Sequence, residues 1–526
     1  MNLILSARQT MSQLRAALSP WNGLYLLLSL LINLGLGYAL SPLYTFAFAA
    51  LLIVLANRFR RTQRCLILVS TLTAAAYYPF GQAYGPPNFN TLLSLHATNM
   101  AEASEIAAIF PWHSYLVAVL ILVVGLIAFR RPLPATRKSA PFEQACLVFT
   151  LVAALTQPIS NATSGGVFSL TDIGFPVVRF VKDTVVSQLT VQEELTRMNA
   201  LASLQDSWQV TSVHPNKQVY VIVIGESARR DALGAFGGRW ANTPWMSEAK
   251  GQLFVNYTSA ASSTQKSLGI TLNRLEEGKP LYQDNIITLA NRAGFSTYWF
   301  SNQGQIGQYD TPIASIARRA DYVHFLKEGD FEADKSTTDN DLLTLMPQAL
   351  KQPLDKPRLI VLHLMGSHPK TCDRTGGHYD TYFQSPELSC YLYTMTQTDR
   401  FLQQLWEQLH SSGLSYSMIY FSDHGLAIKG RGTKSAFLAH DDHFQQNFDV
   451  PFFITSSGDT QHQVYKVARS ANDFLKLFVQ WTGITTPQIK PDYRFISRQK
   501  APPIYVTNFK LQRVDYRQLK QDPLSR

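Results

Sequence analysis

The 526-residue chain is poor in charged residues and in cysteine, and each shortage excludes a class of protein. Asp, Glu, Lys and Arg make up 16% of the sequence, against about 25% in a typical soluble domain. Four cysteines are too few for a disulfide-rich secreted scaffold. The chain also has no internal repeat and no low-complexity tract. Its length is enough for two or three ordinary domains.

The positions of the basic residues indicate what the net charge of +10 means for the protein. Two connections between apolar segments hold eight of them: Arg58, Arg60, Arg61, Arg64, Arg130, Arg131, Arg137 and Lys138. The alternate connections, 41–42 and 81–112, contain no Lys or Arg. Basic residues on alternate connections are typical of a membrane protein whose positive loops stay in the cytoplasm. We therefore expect contact with membrane lipid and no nucleic-acid partner.

Five apolar segments predict transmembrane helices, at about 22–40, 43–57, 65–80, 113–129 and 144–159. A buried helix of a soluble core is the alternative for each segment, but the charges between the segments favour a membrane. The first segment lies too far from the start, and lacks the small-residue cleavage site, for a signal peptide. Five spans make residues 1–160 a transmembrane domain, with the N-terminus in the cytoplasm and the rest of the chain outside.

The remainder of the chain predicts a bridge followed by an α/β domain. Residues 161–215 mix Gly, Pro and Ser with a helical stretch near 178–204. Within 216–526, amphipathic helices alternate with apolar strands at 220–224, 296–300, 358–364, 417–421 and 450–454. This alternation indicates a mostly parallel sheet, in which ligands bind at the carboxyl ends of strands. The polar tail after Pro502 is expected to be weakly structured.

Two of the predicted strands end in side chains that bind metals. Asp423 and His424 follow one strand, and adjacent Asp and His are good ligands for a divalent ion of the zinc type. Glu226 follows another strand. The alternatives are an aspartate N-cap beside a surface histidine, and a glutamate that favours the start of a helix.

Histidines and hydroxyl groups supply further candidates. His363 and His368 lie at a third strand end, where two imidazoles suggest metal or phosphate binding. His440 and His443 lie in a polar segment, where one is a candidate ligand and two surface residues are the alternative. Hydroxyl residues at 262–264 precede a helical pattern at 270–275. Such a hydroxyl is most often a helix cap, but beside a divalent metal it is a candidate nucleophile.

The remaining motif is a pair of cysteines. Cys372 and Cys390 lie in a polar loop and are the plausible disulfide pair, provided that the loop lies outside the cytoplasm. Cys65 and Cys146 lie in or beside apolar segments.

In their order and spacing these segments resemble the bacterial phosphoethanolamine transferases. The segments are Gly225-Glu226-Ser227, 262–264, His363 with His368, and Ser422-Asp423-His424-Gly425. The family consists of inner-membrane enzymes of the alkaline-phosphatase/sulfatase superfamily. The resemblance covers nearly the whole chain. It implies a five-helix transmembrane bundle and a periplasmic α/β domain that moves phosphoethanolamine from phosphatidylethanolamine to lipid A, lipopolysaccharide core or periplasmic glucan.

The resemblance also implies a metal centre and a nucleophile. By position, Glu226, Thr264, Asp423 and His424 are the expected ligands of the main zinc ion. Thr264 is also the expected nucleophile, which carries the phosphoethanolamine as a covalent intermediate. A shift of the alignment would give that role to Ser262 or Ser263. The expected cofactor is one or two zinc ions, with manganese as the alternative.

Other positions match the family in part. His368 and His440 are expected to hold a second metal or the substrate phosphate, and His363 to support them. Thr98 and Glu102, which share one face of a helix, match a donor-lipid contact motif. The chain departs from the family at three places. Many relatives have cysteines beside the nucleophile, where this chain has Ala and Ile; Ser94 replaces an asparagine, and no lysine matches near 302–303.

Three other functions compete with this interpretation. A glycerol-phosphate transferase of the lipoteichoic-acid synthase type shares the helices, the outer domain and the threonine nucleophile. A phosphodiesterase or sulfatase-like hydrolase keeps the fold but uses water as the acceptor. A membrane sensor with a degenerate enzyme domain predicts missing ligands, whereas all four main ones are present.

Overall fold

A computed structural model describes residues 20–97, 107–108, 110–130, 140–163, 168–202, 204–305, 312–328, 337–351, 355–490 and 492–524. The chain divides into two compact units. One comprises Met1–Leu93 with Ala107–Val191, and the other Ser94–Ile106 with Gln192–Arg526. Thr98 and Glu102 lie outside the described residues.

The first unit is helical. Its helices, including two that continue into the second unit, are α1 Pro20–Gly35, α2 Pro42–Arg58, α3 Arg60–Tyr84, α4 Phe89–Ala97, α5 Trp112–Phe129, α6 Ala140–Thr163 and α7 Pro176–Ala202. Among the described residues, the segments Trp112–Phe129 and Pro141–Thr163 are each long and apolar enough to cross a membrane. Helices α1 and α2 have 16 and 17 residues, and α3 begins with charged residues.

Helix α1 ends five residues before its predicted end at residue 40. Gly37, with a φ of +79°, begins the turn, and a Cβ there would lie 2.6 Å from the carbonyl carbon of Gly85. The apolar composition of 36–40 hides this close approach, so the predicted boundary is wrong. Between α1 and α2, Ser29 Oγ donates a hydrogen bond to the Thr45 carbonyl at 2.7 Å.

The second unit is built on an eight-stranded sheet. Its strands are β1 Val219–Gly225, β2 Gly251–Phe254, β3 Ser296–Gln305, β4 Tyr322–Glu328, β5 Arg358–His363, β6 Tyr416–Ser422, β7 Phe452–Ser456 and β8 His462–Tyr465. They lie in the order β8-β2-β7-β6-β1-β5-β3-β4. In this sheet only β7 runs antiparallel to its neighbours, β6 and β2, among the described strands. The prediction of a mostly parallel sheet is confirmed.

Both faces of the sheet are covered, which explains why its strands are continuously apolar. Alternate residues of β1 enter opposite hydrophobic clusters. Ile222 packs with residues such as Trp299, whereas Val221 and Val223 pack with residues such as Met395. The helices of this unit are α8 Pro244–Glu248, α9 Thr264–Thr271, α10 Ile286–Arg292, α11 Pro312–Ala317, α12 Met346–Lys351, α13 Thr371–Arg374, α14 Pro386–Ser411 and α15 Phe474–Thr482.

Small antiparallel pairs complete the second unit, and they correct two expectations. The pairs are Ser212–Val213 with Ile484–Thr485, Asn273–Glu276 with Lys279–Asn285, Ala427–Lys429 with Phe437–Ala439, Tyr257–Thr258 with Asp449–Val450, and Tyr505–Thr507 with Arg513–Asp515. The predicted helical pattern at 270–275 is wrong, because the helix ends at Thr271 and a strand follows. The tail after Pro502 is ordered, since Leu524 is buried.

The register brings the carboxyl ends of four strands to one edge. Gly225 at the end of β1 pairs with Ser422 of β6. His363 at the end of β5 pairs with Ile224 on one side and with Ser301 of β3 on the other. The residues that follow these positions therefore lie side by side, as expected for a ligand site of a parallel sheet.

Candidate active site

Glu226, Thr264, Asp423 and His424 meet at this edge of the sheet. Thr264 Oγ1 donates a hydrogen bond to Glu226 Oε2 at 3.0 Å and lies 3.1 Å from His424 Nε2. His424 Nε2 lies 3.3 Å from Glu226 Oε1 and 3.4 Å from Asp423 Oδ2. The four residues that the family resemblance implies as metal ligands are thus neighbours, although 198 positions separate the first from the last.

A strained turn positions Glu226 after β1. Ser227 has a φ of 59°, in the left-handed region that few residues other than glycine adopt. Its hydroxyl donates to Glu226 Oε1 at 2.6 Å. Gly366 passes so close that a Cβ there would lie 2.9 Å from the Glu226 nitrogen, and its φ of +49° also favours glycine. The β1 loop thus holds the carboxylate through Ser227, and the β5 loop packs against the Glu226 backbone through Gly366.

Asp423 is held through one of its two carboxylate oxygens. Oδ1 accepts from the backbone nitrogens of Ser227 at 3.1 Å and His424 at 2.7 Å. Oδ2 is buried and has no hydrogen-bond partner among the described residues. A buried carboxylate oxygen without a donor is costly unless something else binds it. This oxygen faces His424 and is free to bind a cation.

The backbone fixes the tautomer of His424. Its Nδ1 lies 2.9 Å from the carbonyl oxygen of Gly425, and because a carbonyl can only accept, Nδ1 carries the proton. Nε2 is therefore the nitrogen that faces Thr264 and the two carboxylates, where a bound metal ion could replace its proton. Metal-binding histidines characteristically donate the second ring nitrogen to such an acceptor.

Burial makes the charges of this cluster interdependent. Burial raises the pKa of Glu226, but the groups beside it, the His424 imidazolium above all, together have the larger opposite effect. The pKa of Glu226 therefore lies well below its usual value. Burial and the Glu226 carboxylate raise the pKa of Asp423. Burial lowers the pKa of His424, while Asp423 and Glu226 raise it to a net value of about 9. The raised pKa values of Asp423 and His424 reflect the two carboxylates at one point, where a cation would be favoured.

The donor set suits a divalent metal of the zinc type. Glu226, Asp423 and His424 each offer a ligand atom, and these atoms lie within 4.8 Å of one another. Carboxylate oxygens and one imidazole nitrogen are common zinc ligands, and the unpartnered Asp423 Oδ2 is the atom that a cation would satisfy. The residues present therefore fit the metal that the family implies.

His368 and His440 lie beside this cluster. The ring of His440 lies 4.7 Å from that of His424, centroid to centroid. His368 and Glu226 interact electrostatically. Burial first, then neighbouring positive charge, lowers the pKa of His368 to about 3 and that of His440 to about 4. Both imidazoles are therefore neutral at physiological pH.

His363 and the two serines occupy different positions from Thr264. His363 contacts Ser301 at 3.4 Å through Nδ1, and burial lowers its pKa to about 4. Ser263 is the N-cap of α9, and Thr264 is the first residue of the helix. Ser262 Oγ is buried without a hydrogen-bond partner among the described residues. Of these hydroxyls, Thr264 alone has a described contact with both Glu226 and His424.

Two residues near the site were missed as contributors by sequence reasoning. Gln303 donates to Glu226 Oε2 at 3.1 Å and to the Leu364 carbonyl at 3.0 Å. The available signal was its position just after the predicted apolar strand at 296–300. Arg374 contacts His368 from a short helix, and no local pattern indicates that contact. Nearby, the sulfurs of Cys372 and Cys390 form a disulfide.

The chain matches known proteins along its whole length. The Sulfatase family model matches residues 218–484. Phosphoethanolamine transferase OpgE of Escherichia coli (strain K12) is 57% identical over 523 residues, which cover 99% of each chain. The chain belongs to the phosphoethanolamine transferases of the sulfatase family. The expectation of a sulfatase-like α/β domain is thereby confirmed.

Solved structures of phosphoethanolamine transferases share the fold. The integral membrane protein lipooligosaccharide phosphoethanolamine transferase A (EptA) of Neisseria meningitidis superposes with a TM-score of 0.58 at 16% identity, covering 89% of this chain and 97% of its own. The C-terminal periplasmic domain of EcEptC from E. coli, in complex with Zn, superposes with a TM-score of 0.51 at 20% identity, covering 61% and 99%.

Proposed function

We propose that this phosphoethanolamine transferase moves phosphoethanolamine from phosphatidylethanolamine to an envelope glycan or lipid, with Thr264 as the nucleophile. The observation that carries the proposal is the Thr264 hydroxyl, which contacts both Glu226 and His424 at the carboxyl edge of the sheet. The identity to OpgE over nearly the whole of both chains supports the same reaction class. The acceptor is lipid A, lipopolysaccharide core or periplasmic glucan.

The chain's own groups are arranged for a displacement at phosphorus. The Thr264 hydroxyl already donates to Glu226 Oε2, so a base lies on the proton that the nucleophile must lose. The Thr264 oxygen forms a bond to phosphorus, the bond to the diacylglycerol oxygen breaks, and that oxygen takes up a proton. An acceptor hydroxyl then displaces Thr264 in the reverse sense, which gives a ping-pong transfer through a covalent intermediate.

The zinc ion would be held by Glu226, Asp423, His424 and Thr264. The periplasmic domain of the relative EcEptC has been solved as a complex with Zn. When bound, the ion supplies Lewis acidity that lowers the pKa of a hydroxyl and offsets phosphoryl charge. His368 and His440 hold the substrate phosphate or a second ion, and manganese is the alternative metal. His363, at the end of β5, would have a supporting role.

The first unit would place the enzyme in the inner membrane as a five-helix bundle with the catalytic domain in the periplasm. Domain limits of 1–160, 161–215 and 216–526 follow from this arrangement. The supporting observation is the apolar exposed surface of α5, where Leu116, Val119, Val123 and Leu126 are each about half exposed. An exposed stripe of this kind on a long apolar helix suits lipid contact.

Mass spectrometry of the envelope tests the proposal. Lipid A, core oligosaccharide and periplasmic glucan from cells with and without the gene are compared for a phosphoethanolamine increment. We expect one fraction to lose the increment and to regain it on expression of the wild-type chain but not of Thr264→Ala. Three unchanged fractions would contradict the proposal, and a glycerol-phosphate increment would favour the lipoteichoic-acid synthase type.

A further inference from the structure

The side chain of Arg374 is locked onto residues 368 and 369. Its Nε donates to the His368 carbonyl at 2.8 Å, and its Nη2 donates to the Pro369 carbonyl at 3.3 Å. The same Nη2 lies 3.2 Å from His368 Nδ1. Three contacts with two neighbouring residues therefore hold the guanidinium against the imidazole.

The contact with Nδ1 decides the tautomer of His368. A guanidinium has five N–H donors and no acceptor, so Nδ1 must accept with its lone pair. A neutral imidazole that accepts at Nδ1 carries its proton on Nε2. A doubly protonated ring would set an Nδ1–H against the N–H groups of the guanidinium, so the contact requires a neutral His368. Its second nitrogen is therefore an N–H donor, and a protonated nitrogen cannot ligate a metal.

His440 has the opposite tautomer. Its Nδ1 lies 3.1 Å from the carbonyl oxygen of Ser262, so Nδ1 carries the proton and Nε2 presents a lone pair. The two histidines beside the Thr264 cluster are thus one donor and one acceptor. This complementarity suits a phosphoryl group in transfer, which has oxygens that accept and, in the second step, an incoming hydroxyl that donates.

The Cys372–Cys390 disulfide holds Arg374 at this position. Arg374 ends α13, a helix of four residues that follows Lys370 with a φ of 58°, and so short a helix is unstable alone. Cys372 lies within α13, and its partner Cys390 is buried in α14. Thr371 Oγ1 adds a bond of 2.8 Å to the Glu387 carbonyl of α14.

We propose that Arg374 is a positioning residue that fixes His368 as a hydrogen-bond donor to the substrate phosphate, rather than a ligand of a second metal, and that the disulfide keeps Arg374 in place. The proposal rests on the proposed function, because it assigns the substrate phosphate to His368. Its metal prediction does not require turnover, so the two can fail separately.

The test uses the purified full-length protein in detergent. Arg374→Leu removes the donor at similar volume, Arg374→Lys keeps a side chain that can only donate, and Arg498→Leu is the matched control at an exposed arginine. Two readouts are taken: bound zinc per chain in a zinc titration, and the rate of headgroup capture from phosphatidylethanolamine vesicles, followed by intact-protein mass. Circular dichroism and gel filtration check that each variant is folded.

We expect wild type to bind no zinc through His368, so that His368→Ala leaves its zinc content unchanged. Arg374→Leu should slow headgroup capture at least tenfold and gain a second, weaker zinc, because His368 can then carry its proton on Nδ1 and present a lone pair at Nε2. Arg374→Lys should recover most of the rate, and Arg498→Leu should match wild type. A wild-type zinc that is lost in His368→Ala, or an Arg374→Leu rate within twofold of wild type, overturns the proposal.

A second arm tests the disulfide. The double variant Cys372→Ser/Cys390→Ser should lower the rate of headgroup capture as Arg374→Leu does. Combining all three changes should lower it no more than twofold further, since residues that act through one contact are not additive. A serine pair with the wild-type rate would refute the role of the disulfide.

Discussion

Ser267 Oγ donates a hydrogen bond of 2.6 Å to the backbone carbonyl of Asp423. Ser267 is the fourth residue of α9, which begins at Thr264, and Asp423 directly follows β6. The bond therefore connects the helix that carries the proposed nucleophile with the loop that carries two proposed metal ligands. Both parts of the site are held in one fixed arrangement before any substrate binds, which is the preorganisation that catalysis needs.

Thr264→Ala should abolish transfer while the protein stays folded, because the attacking oxygen is lost. Thr264→Ser should keep part of the activity, since it keeps the hydroxyl. The matched control is Thr338→Ala, which removes a threonine at an N-cap whose described hydrogen bonds are with Asp341 and should cost only about 0.5–2 kcal/mol of stability. Turnover by purified Thr264→Ala within tenfold of wild type would show that Thr264 is only a helix residue, and an adduct would then be sought at Ser262 or Ser263.

Asp423→Asn should weaken zinc binding by the purified protein at least about tenfold, because it removes an expected ligand. Loss of a group that only hydrogen-bonds a ligand already lowers metal affinity about 10–100-fold. The control is Asp442→Asn, which alters the second group of potential ligands, Asp441, Asp442 and His443. His443 is largely exposed there, so that variant should keep its zinc. Elemental analysis of both proteins decides which group binds the metal; loss of zinc in Asp442→Asn alone would reverse the assignment.

Glu194→Ala should destabilise the second unit. Glu194 pairs with Lys266 of α9 at 3.6 Å and accepts from the Tyr282 hydroxyl at 3.0 Å. Burial lowers the pKa of Lys266, so removing the carboxylate beside this ammonium group is costly, by about 3 kcal/mol at the lower end for a buried pair. The free energy of unfolding is measured by urea denaturation.

A double-mutant cycle provides the control for this ion pair. Glu194→Ala made in a Lys266→Met background should lower the free energy of unfolding clearly less than in wild type, because that background has no Lys266 charge for Glu194 to stabilise. Equal costs in both backgrounds would show that Glu194 acts only through its other partners.

Thiol labelling of the unreduced, denatured protein should modify Cys65 and Cys146 but neither Cys372 nor Cys390. The first two are free thiols, and the second two form a disulfide. After reduction all four should react, which provides the internal control. Labelling of all four cysteines without reduction would rule out the bond in the cell.

Reporter fusions test the orientation in the membrane. Alkaline phosphatase fused after residue 215 should be active, because that enzyme folds only outside the cytoplasm, and a fusion at Arg61 should be silent. The expectation follows from the basic residues on alternate connections. A silent fusion at 215 together with an active one at Arg61 would invert the proposed topology.

The sequence alone determined the strands and the side chains at their ends. Runs such as 219–225 and 416–422 are buried throughout and largely apolar because both faces of the sheet are covered. A parallel sheet aligns carboxyl ends, so Glu226, Asp423 and His424 could be predicted to lie together before any contact was known. Periodicity and strand direction are local properties, and the sequence records them directly.

Tertiary structure alone decided how these side chains are held. The contacts of Gln303 with Glu226 and of Arg374 with His368 depend on loop paths, which hydrophobic pattern does not encode. The end of α1 depends on the close approach of Gly37 to Gly85. The tautomers of His368 and His440 depend on whether a guanidinium or a carbonyl faces Nδ1. Composition names the residues that can carry the chemistry, but the proton positions are set by neighbours that only the folded chain brings into contact.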